Sequence, residues 1–249
     1  MGKSVPNKYP QIKKVTDQER ISMVKEIFST ITGKYDFLNR FLSLRRDVAW
    51  RNFTAGKMRF CQTHQYLDVA CGTGDLAITA AEKHPHIKVI GLDFIAEMVK
   101  TAKDKVQKKK LADRIQIIQG DALQIPFEND SFDVVGIAFG IRNIPDRRRA
   151  LREMLRVTVP GGQVMVLEMT FVQNRFFKLI YHVYLNYLLP ALAKIFSDNP
   201  AAYYYLADSI MNFPTPDKFA ELMEEAGMVQ VEKYPLTFGI TWLHIAIKA

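Results

Sequence analysis

The chain is poor in cysteine, and it lacks a long uncharged hydrophobic run. Its two cysteines, Cys61 and Cys71, lie too close in sequence to suggest the disulfide framework of a secreted domain. The N-terminal segment, MGKSVPNKYPQIKK, is polar and contains no apolar signal-peptide core. We therefore expect a protein of the reducing cytoplasm.

No stretch reaches the ~18 apolar residues that suggest a membrane-spanning helix. The nearest, FFKLIYHVYLNYLLPALAKIF at 176–196, is interrupted by lysine, histidine, asparagine and proline. A spanning helix would have to bury these polar groups in hydrocarbon, so we exclude one. The aromatic and aliphatic residues of this segment predict either a buried helix or a surface that contacts something apolar.

Metal ligation and nucleic-acid binding find no support in the spacing of the polar residues. The histidines lack metal-ligand spacing, and we interpret His244, on the last predicted strand, as a packed core residue. The net charge of +8 permits a nucleic acid or an anionic membrane as partner. However, the basic run KDKVQKKK at 103–110 is typical of an exposed helix end, and no basic patch is interleaved with aromatic residues. We expect no metal and no nucleic-acid partner.

Regular alternation of strands and helices begins at residue 65. Strands are predicted at 65–71, 87–93, 114–119, 132–139 and 162–169, and helices at 75–84, 95–109 and 146–157. This alternation predicts a parallel sheet that is covered by helices on both faces. The last two strands, VQVEKYP and FGITWLHIAIKA, are joined by so short a turn that they must be antiparallel.

Two further regions are predicted to be helical. Residues 17–60 include QERISMVKEIFSTI, whose apolar residues follow helical spacing, and YDFLNRFLSL. A long helix is predicted at about 173–197. We therefore predict a helical N-terminal lid over 1–60, and an α/β domain over 61–249 with a helical insertion at about 173–215.

The segment YLDVACGTGDLA at 66–77 predicts a strand, a tight glycine turn and a helix. Gly72, Thr73 and Gly74 fit a dinucleotide-binding pattern, but Asp68 and Asp75 flank them. Near a pyrophosphate, each like-charge contact at about 4 Å would cost roughly 1 kcal/mol in water and roughly 4 kcal/mol at intermediate dielectric. Acidic groups suit instead a cationic ligand without phosphate, such as S-adenosylmethionine.

The next two strands also end in an acid. Asp93 ends the second strand, where a carboxylate can accept both ribose hydroxyls. Asp121 follows the third strand and can accept the adenine amino group, while the backbone N–H of Ala122 meets a ring nitrogen. These residues predict an α/β class I methyltransferase: a seven-stranded, mostly parallel Rossmann-like sheet with helices on both faces and an antiparallel last strand.

Several longer motifs resemble one family, the C-methyltransferases of ubiquinone and menaquinone biosynthesis. The resemblance runs from about residue 24 to the C-terminus. Its most specific stretches are FGIRN within 138–146 and YLADSI…FP within 203–214, because generic methyltransferases of this fold lack them. The motifs that carry it are KYDFLNRFLSL, YLDVACGTGDLA, GDALQIPFENDSFDVV, AFGIRNIPD, ALREMLRVTVPGGQVMVLEM and YYYLADSIMNFP.

The resemblance implies methyl transfer from S-adenosylmethionine to a ring carbon of a polyprenylated quinol. This quinol would be demethylmenaquinol, a demethylated ubiquinol precursor, or both. The resemblance places Thr73, Asp93, Asp121 and Ala122 at the cofactor, in agreement with the charge argument. The pair Arg142–Asn143 is the expected polar contact with the quinol.

Arg142 is predicted to stabilise the phenolate or to orient a water, because a pKa above about 12 disfavours a role as base. The alternative is a structural arginine that holds the loop after the fourth strand. Asn143 is predicted to donate a second hydrogen bond to the substrate. Tyr35 and Asp36 are predicted to lie on a lid across the cofactor, with a plain helix cap as the alternative.

The chain departs from the family pattern in three places. Cys71 stands where the family usually has glycine, and SLRRDVAW at 43–50 and Met169 also differ from their family counterparts. The second change bears on the lid and so on which quinol is accepted. A polyprenyl tail must be collected from a bilayer, so helix 173–197 is predicted to form a groove wall or a peripheral membrane contact at the inner face. A buried helix or a homodimer contact is the alternative.

Other functions remain open at this point. A class I methyltransferase acting on another phenolic or lipid acceptor is the first alternative. A nicotinamide oxidoreductase is disfavoured by the two acids beside the glycine turn. A non-catalytic subunit of a quinone-biosynthesis complex is the third.

Overall fold

The structure is a computed structural model that describes residues 15–32, 35–171 and 201–249. Its helices are α1 Asp17–Ile31, α2 Tyr35–Leu42, α3 Arg46–Lys57, α4 Asp75–Lys83, α5 Ala96–Lys108, α6 Arg147–Val157, α7 Ala201–Met211 and α8 Pro216–Glu225. Its strands are β1 Gln65–Val69, β2 Lys88–Asp93, β3 Ile115–Gln119, β4 Phe132–Ala138, β5 Thr158–Met169, β6 Val229–Leu236 and β7 Thr241–Ile247. The predicted helix at 173–197 lies outside the described residues.

All seven strands form one sheet in the order β3-β2-β1-β4-β5-β7-β6. Strands β1 to β5 are parallel, and β7 is antiparallel to both of its neighbours, β5 and β6. The chain crosses from one side of the sheet to the other between β3 and β4, which makes β1 and β4 the topological switch point. The predicted fold class is confirmed.

The fifth strand begins earlier than predicted and contains a bulge. The sequence predicted it at 162–169, but β5 begins at Thr158 and includes Pro160, Gly161 and Gly162. Phe132 pairs with Thr158 and Val134 pairs with Gln163, so the intervening residues are looped out of the ladder. Gly161 accommodates this with a φ of 76°, which favours glycine.

The two faces of the sheet carry separate apolar cores because successive side chains of a strand point to opposite faces. Along β1, Tyr66 packs into the core under α3, α4 and α5, whereas Leu67 packs into the core under α6 and α8. A third cluster joins α1, through Met23 and Ile27, to α7. The glycine turn at the end of β1 is therefore held between rigid layers.

The N-terminal helices differ in how they join the domain. Trp50 and Ala55 of α3 belong to the first core, and the Trp50 Nε1–H donates to Thr237 Oγ1 at 2.9 Å. This packing makes α3 part of the α/β domain, so only α1 and α2 fit a lid, and the division at residue 60 stays a prediction. Across the described ranges, no helix has both the length and the apolar character needed to cross a membrane.

Candidate active site

A cleft of about 870 Å3, including its open mouth, lies at the carboxyl edge of the parallel strands. Five predicted site residues meet along its wall: Gly72, Asp93, Asp121, Ala122 and Asn143. Because the strands end together at this edge, residues that lie up to 71 positions apart in sequence become neighbours in space.

The glycine turn opens directly onto the cleft. Gly72 has a φ of 56°, and a Cβ placed on it would meet no atom within 4 Å. The turn therefore leaves room for a ligand to approach the backbone closely. Gly140, on the other side of the cleft, is closely packed, because a Cβ on it would meet the Ala70 Cβ at 2.8 Å. Only glycine lets the chain after β4 come this near the end of β1.

Asp93 ties the second strand to the glycine turn. Its Oδ2 accepts a hydrogen bond from the Gly72 N–H at 2.7 Å, and its Oδ1 accepts one from the Ile95 N–H at 2.9 Å. Burial raises the pKa of this carboxyl. A carboxylate offers about four lone pairs, so each oxygen retains one acceptor for a ligand hydroxyl.

Asp121 and Ala122 stand at the end of β3. Asp121 is exposed, and its Oδ1 accepts a hydrogen bond from the Leu123 N–H at 2.8 Å, which shapes the turn that follows. Ala122 is buried in the cleft wall. Both residues line the cleft, and their contact with the cofactor stays a prediction.

Asp68 does not lie in the main cleft. It is buried, and its carboxylate accepts hydrogen bonds from the Tyr66 hydroxyl at 3.2 Å and the Ala77 N–H at 3.0 Å. It lines a smaller polar cavity together with Arg51 and Thr73. Burial raises the pKa of Asp68 to about 7, so the side chain is close to half-protonated at neutral pH.

Asp75 is engaged by cations of the protein itself. Its Oδ1 lies 2.6 Å from Lys105 Nζ and 3.6 Å from Arg40 Nη2. Burial acts to raise the pKa of Asp75, but the charges of Arg51 and Lys105 outweigh it and hold the pKa below its ordinary value. The repulsion that the sequence argument assigned to this residue is thus offset inside the structure.

Helix α2 is fastened to the glycine turn. The Thr73 hydroxyl donates to Asp36 Oδ1 at 2.6 Å, and Lys105 Nζ lies 2.5 Å from Asp36 Oδ2. Lys105 also donates to Thr73 Oγ1 at 3.0 Å. Asp36 therefore contacts the turn as a lid residue would. Tyr35 begins α2, and its side chain lies outside the described part of the chain.

Arg142 is buried beside the cleft rather than exposed in it. Its Nη1 donates to Glu168 Oε1 and to the Phe139 carbonyl, both at 2.6 Å, and its backbone N–H donates to Glu168 Oε2 at 3.2 Å. These contacts anchor the short helical turn Ile141–Asn143 to β5. They favour the alternative role, an arginine that holds the loop after the fourth strand.

Asn143 marks the polar end of the cleft. The Tyr205 hydroxyl donates to Asn143 Oδ1 at 3.2 Å. Behind them, Arg20 and Arg147 both donate to the Arg142 carbonyl, the second at 3.3 Å. Burial, together with the charge of Arg20, lowers the pKa of Arg147 to about 10. Three guanidinium groups thus gather at the turn Ile141–Asn143: Arg142 pairs with Glu168, and Arg20 and Arg147 contact the Arg142 carbonyl. We call these three arginines the arginine cluster.

Sequence reasoning missed most of this cluster. Glu168 had a readable signal, because an acid within the apolar strand VMVLEM needs a buried cationic partner. Arg20 had none, because 122 residues separate it from the carbonyl that it contacts. In the part of the chain that the structure covers, no group of three or more histidine, cysteine or acidic residues is arranged to hold a metal ion.

The strand order, with an antiparallel β7 between β5 and β6, and the glycine turn flanked by acid-ended strands define a class I methyltransferase. The fold agrees with that of a SAM-dependent methyltransferase, possible histamine N-methyltransferase, of Thermotoga maritima. The TM-score is 0.64 at 18% identity, over 90% of this chain and 99% of the other. Such a distant likeness supports the fold alone.

Closer relatives identify the family. The model of the ubiE/COQ5 methyltransferase family matches residues 13–248. The chain is 41% identical to the ubiquinone/menaquinone biosynthesis C-methyltransferase UbiE of Geotalea daltonii, over 92% of this chain and 98% of the relative. It is 38% identical to the demethylmenaquinone methyltransferase of Geobacillus kaustophilus, over 93% and 99%. The chain belongs to the ubiE/COQ5 methyltransferase family.

Proposed function

We propose that this enzyme transfers a methyl group from S-adenosylmethionine to a ring carbon of a polyprenylated quinol. The quinol is demethylmenaquinol, the demethylated precursor of ubiquinol, or both, in line with the names of the relatives. The observation that carries the proposal is the cleft itself. It joins hydroxyl and adenine acceptors at one end to an apolar wall and the polar side chain of Asn143 at the other.

The cofactor end of the cleft fits S-adenosylmethionine. Asp93 would accept hydrogen bonds from two ribose hydroxyls, Asp121 and Ala122 would hold the adenine, and Gly72 would leave backbone space for the methionyl part. Asp68, from the small cavity beneath, supplies a carboxylate toward the cationic part. S-adenosylmethionine, when bound, supplies an electrophilic methyl group on a sulfonium.

The substrate end of the cleft suits an aromatic ring with an apolar tail. Ile21, Val24 and Phe28 of α1 and Pro145 after β4 line it with apolar side chains. Asn143 and Tyr205 offer hydrogen-bonding groups to a ring hydroxyl at its base. The tail follows the apolar wall toward the mouth. In this proposal α1 and α2 act as the lid.

A quinol ring carbon becomes nucleophilic when its neighbouring hydroxyl loses a proton. The arginine cluster carries three positive charges against one carboxylate, so its field favours an oxyanion close to Asn143. Arg142 then acts by charge and by positioning the turn Ile141–Asn143, rather than as a base. Alignment of carbon and methyl can contribute about 7–11 kcal/mol to lowering the barrier.

The function is tested with labelled S-adenosylmethionine and each demethylated quinol in detergent. We expect methylation of one or both, and the ratio of the rates identifies the ring. Asn143→Ala should lower kcat/KM for the quinol about ten-fold or more while leaving the cofactor Kd unchanged. Asn129→Ala, at an exposed position, is the matched control. Tight cofactor binding without methylation of either quinol would overturn the proposal and favour another phenolic or lipid acceptor.

The role of Arg142 needs a separate pair of variants. Arg142→Lys keeps the positive charge but cannot reproduce both contacts of the guanidinium, whereas Arg142→Ala loses charge and contacts together. A role by charge predicts that the lysine variant keeps much of kcat and that the alanine variant shifts the pH profile of kcat upward. Equal loss in both, with an unchanged pH profile, indicates a purely structural arginine.

Two further statements belong to the proposal. Because a polyprenylated quinol resides in a bilayer, the enzyme contacts the inner face of the membrane peripherally. A homodimer is the second expectation, and sedimentation at several protein concentrations tests it.

A further inference from the structure

Helix α2 carries a row of exposed apolar side chains. Phe37, Phe41 and Leu44 are 57%, 39% and 83% exposed. The rings of Phe37 and Phe41 are stacked, with centroids 6.0 Å apart and planes 12° apart. The spacing of four residues places Phe37 and Phe41 on one side of the helix, and Leu44 is exposed in the turn that follows it.

The exposed charge next to this row is positive. Arg45 is exposed in the turn that joins α2 to α3, and Arg46 is exposed at the first position of α3. The acids nearby are engaged elsewhere: Asp36 pairs with Lys105, and the buried Asp47 pairs with Arg51 at 2.7 Å. We call Phe37, Phe41, Leu44, Arg45 and Arg46 the α2 patch.

The α2 patch adjoins the carboxyl edge of the sheet, at which the cleft lies. Asp36, beside Phe37, contacts Thr73 in the glycine turn. Two other exposed apolar residues, Ile21 and Phe94, line the cleft itself. Phe238 is 73% exposed in the turn before β7, at the same edge, because Thr241 pairs with Met169 at the end of β5. Single exposed apolar residues are normal, but this concentration on one edge is not.

We propose that the α2 patch docks the enzyme on an anionic lipid bilayer. The apolar side chains enter the boundary between head groups and acyl chains, and the two arginines contact lipid phosphates. An uncharged partner would not explain the arginines, and a purely electrostatic one would not explain the apolar row. Docking in this orientation turns the cleft mouth toward the membrane. This orientation rests on the proposed function, in which the substrate resides in the bilayer.

The test is co-sedimentation of the full chain with phosphatidylcholine vesicles, with and without phosphatidylglycerol, in the absence of quinol and cofactor. We expect binding to the anionic vesicles. Phe37→Gln/Leu44→Asn should weaken it about ten-fold or more, because two large apolar groups no longer enter the bilayer. Asparagine tolerates the left-handed backbone of Leu44, whose φ is 51°, so the turn is preserved.

A second variant tests the charges. Arg45→Asn/Arg46→Gln should weaken binding about ten-fold or more, and only to anionic vesicles, since each basic residue near such a surface contributes about a five-fold factor. The matched control is Lys108→Gln/Lys110→Asn. It removes the same charge at the end of α5, on the opposite edge of the sheet, and Lys110 has a φ of 56° where Arg45 has 61°. Val229→Thr is the apolar control on that edge.

Equal binding by wild type and both patch variants, or no vesicle binding at all, would overturn the proposal. Loss of a dimer in the patch variants without any vesicle binding would assign the surface to a second copy of the chain and would also overturn it. Methylation of detergent-solubilised quinol is measured in parallel. Vesicle binding without methylation separates failure of the proposed function from failure of the docking surface.

Discussion

At the residue scale, burial displaces the pKa values of Asp68 and His244 in opposite directions. Asp68 has its pKa raised to about 7 and lies under the glycine turn, whereas His244 has its pKa lowered to about 4 and lies far from the cleft. The same physical cause, burial, penalises the charged form of each. The raised pKa of Asp68 therefore bears on ligand binding, and the lowered pKa of His244 bears on stability.

Binding of a cationic cofactor should release protons from Asp68. A positive charge nearby favours the ionised carboxylate and lowers its pKa, so a fraction of a proton leaves at pH 7, and affinity rises as the pH rises through 7. Calorimetric titration in buffers with different ionisation enthalpies measures this release. Asp68→Asn should abolish the buffer dependence, and the exposed Asp113→Asn should not. A heat that is identical in all buffers for the wild type would contradict the placement of the cation near Asp68.

Stability should fall in mild acid because of His244. Its folded pKa of about 4 lies below the ordinary value of 6.5, so as the pH falls from 6.5 to 4 the unfolded state takes up a proton that the native state does not. The free energy of unfolding then decreases by up to about 3 kcal/mol across this window.

Urea titrations at several pH values check this expectation. His244→Gln should flatten the dependence of the unfolding free energy on pH, because glutamine does not titrate. Its amide can still donate to the Pro216 carbonyl that His244 Nε2 contacts at 3.0 Å, so the contact is kept. His86→Gln, at an exposed position, is the control and should keep the slope. An unchanged slope in His244→Gln would place its source elsewhere.

At the scale of elements, one lysine of α5 connects α2 to α4. Lys105 contacts Asp36 in the first turn of α2, Asp75 in the first turn of α4, and the Thr73 hydroxyl between them. The contact brings together three elements that converge on the cofactor end of the cleft. Helix α2 is therefore held by ionic contacts at this point, which makes its attachment to the glycine turn sensitive to salt.

Lys105→Met should loosen α2 and weaken cofactor binding. Two carboxylates then lose their shared cation, and we expect the cofactor Kd to rise about five- to ten-fold, the equivalent of about 1 kcal/mol. Hydrogen exchange of the α2 amides should accelerate in the same variant. Lys108→Met, at an exposed position on the same helix, is the control. Unchanged exchange in α2 would show that Lys105 does not hold the lid.

At the scale of the whole molecule, α3 and the sheet form one packed body. Trp50 of α3 lies in the core shared with β1, and its indole contacts the turn before β7, the strand that carries Trp242. Since β7 pairs with both β5 and β6, separating it would break two ladders at once. We therefore expect one cooperative unfolding transition for this body.

The two tryptophans of the chain allow this to be measured. Trp242→Phe leaves Trp50 as the only fluorescent reporter, and Trp50→Phe leaves Trp242. In each variant, the urea midpoint measured by fluorescence should coincide with the urea midpoint measured by circular dichroism. Because both midpoints are measured on the same variant, any loss of stability affects them equally. An earlier fluorescence transition in Trp242→Phe would show that α3 unfolds separately and would support the predicted domain boundary near residue 60.

The sequence alone determined the features that depend on near neighbours along the chain. The alternation of strands and helices, the glycine turn after β1 and the acids that end β2 and β3 follow from periodicity and turn chemistry. Each involves residues within one element or one connection, so each could be predicted before the fold was known. The resemblance in the stretches FGIRN and YLADSI…FP identified the family for the same reason.

Tertiary structure decided which charges meet. Asp75 is paired with Lys105, 30 positions away, so its charge is offset within the protein. Arg142 is paired with Glu168, 26 positions away, so its side chain does not enter the cleft. Asp68 accepts a hydrogen bond from the Ala77 N–H of α4 and lies in a small cavity beside the glycine turn rather than in the main cleft. Such pairings depend on which strands become neighbours and how closely the helices pack on them. A buried charge requires a partner, but no local sequence pattern indicates which residue that partner is.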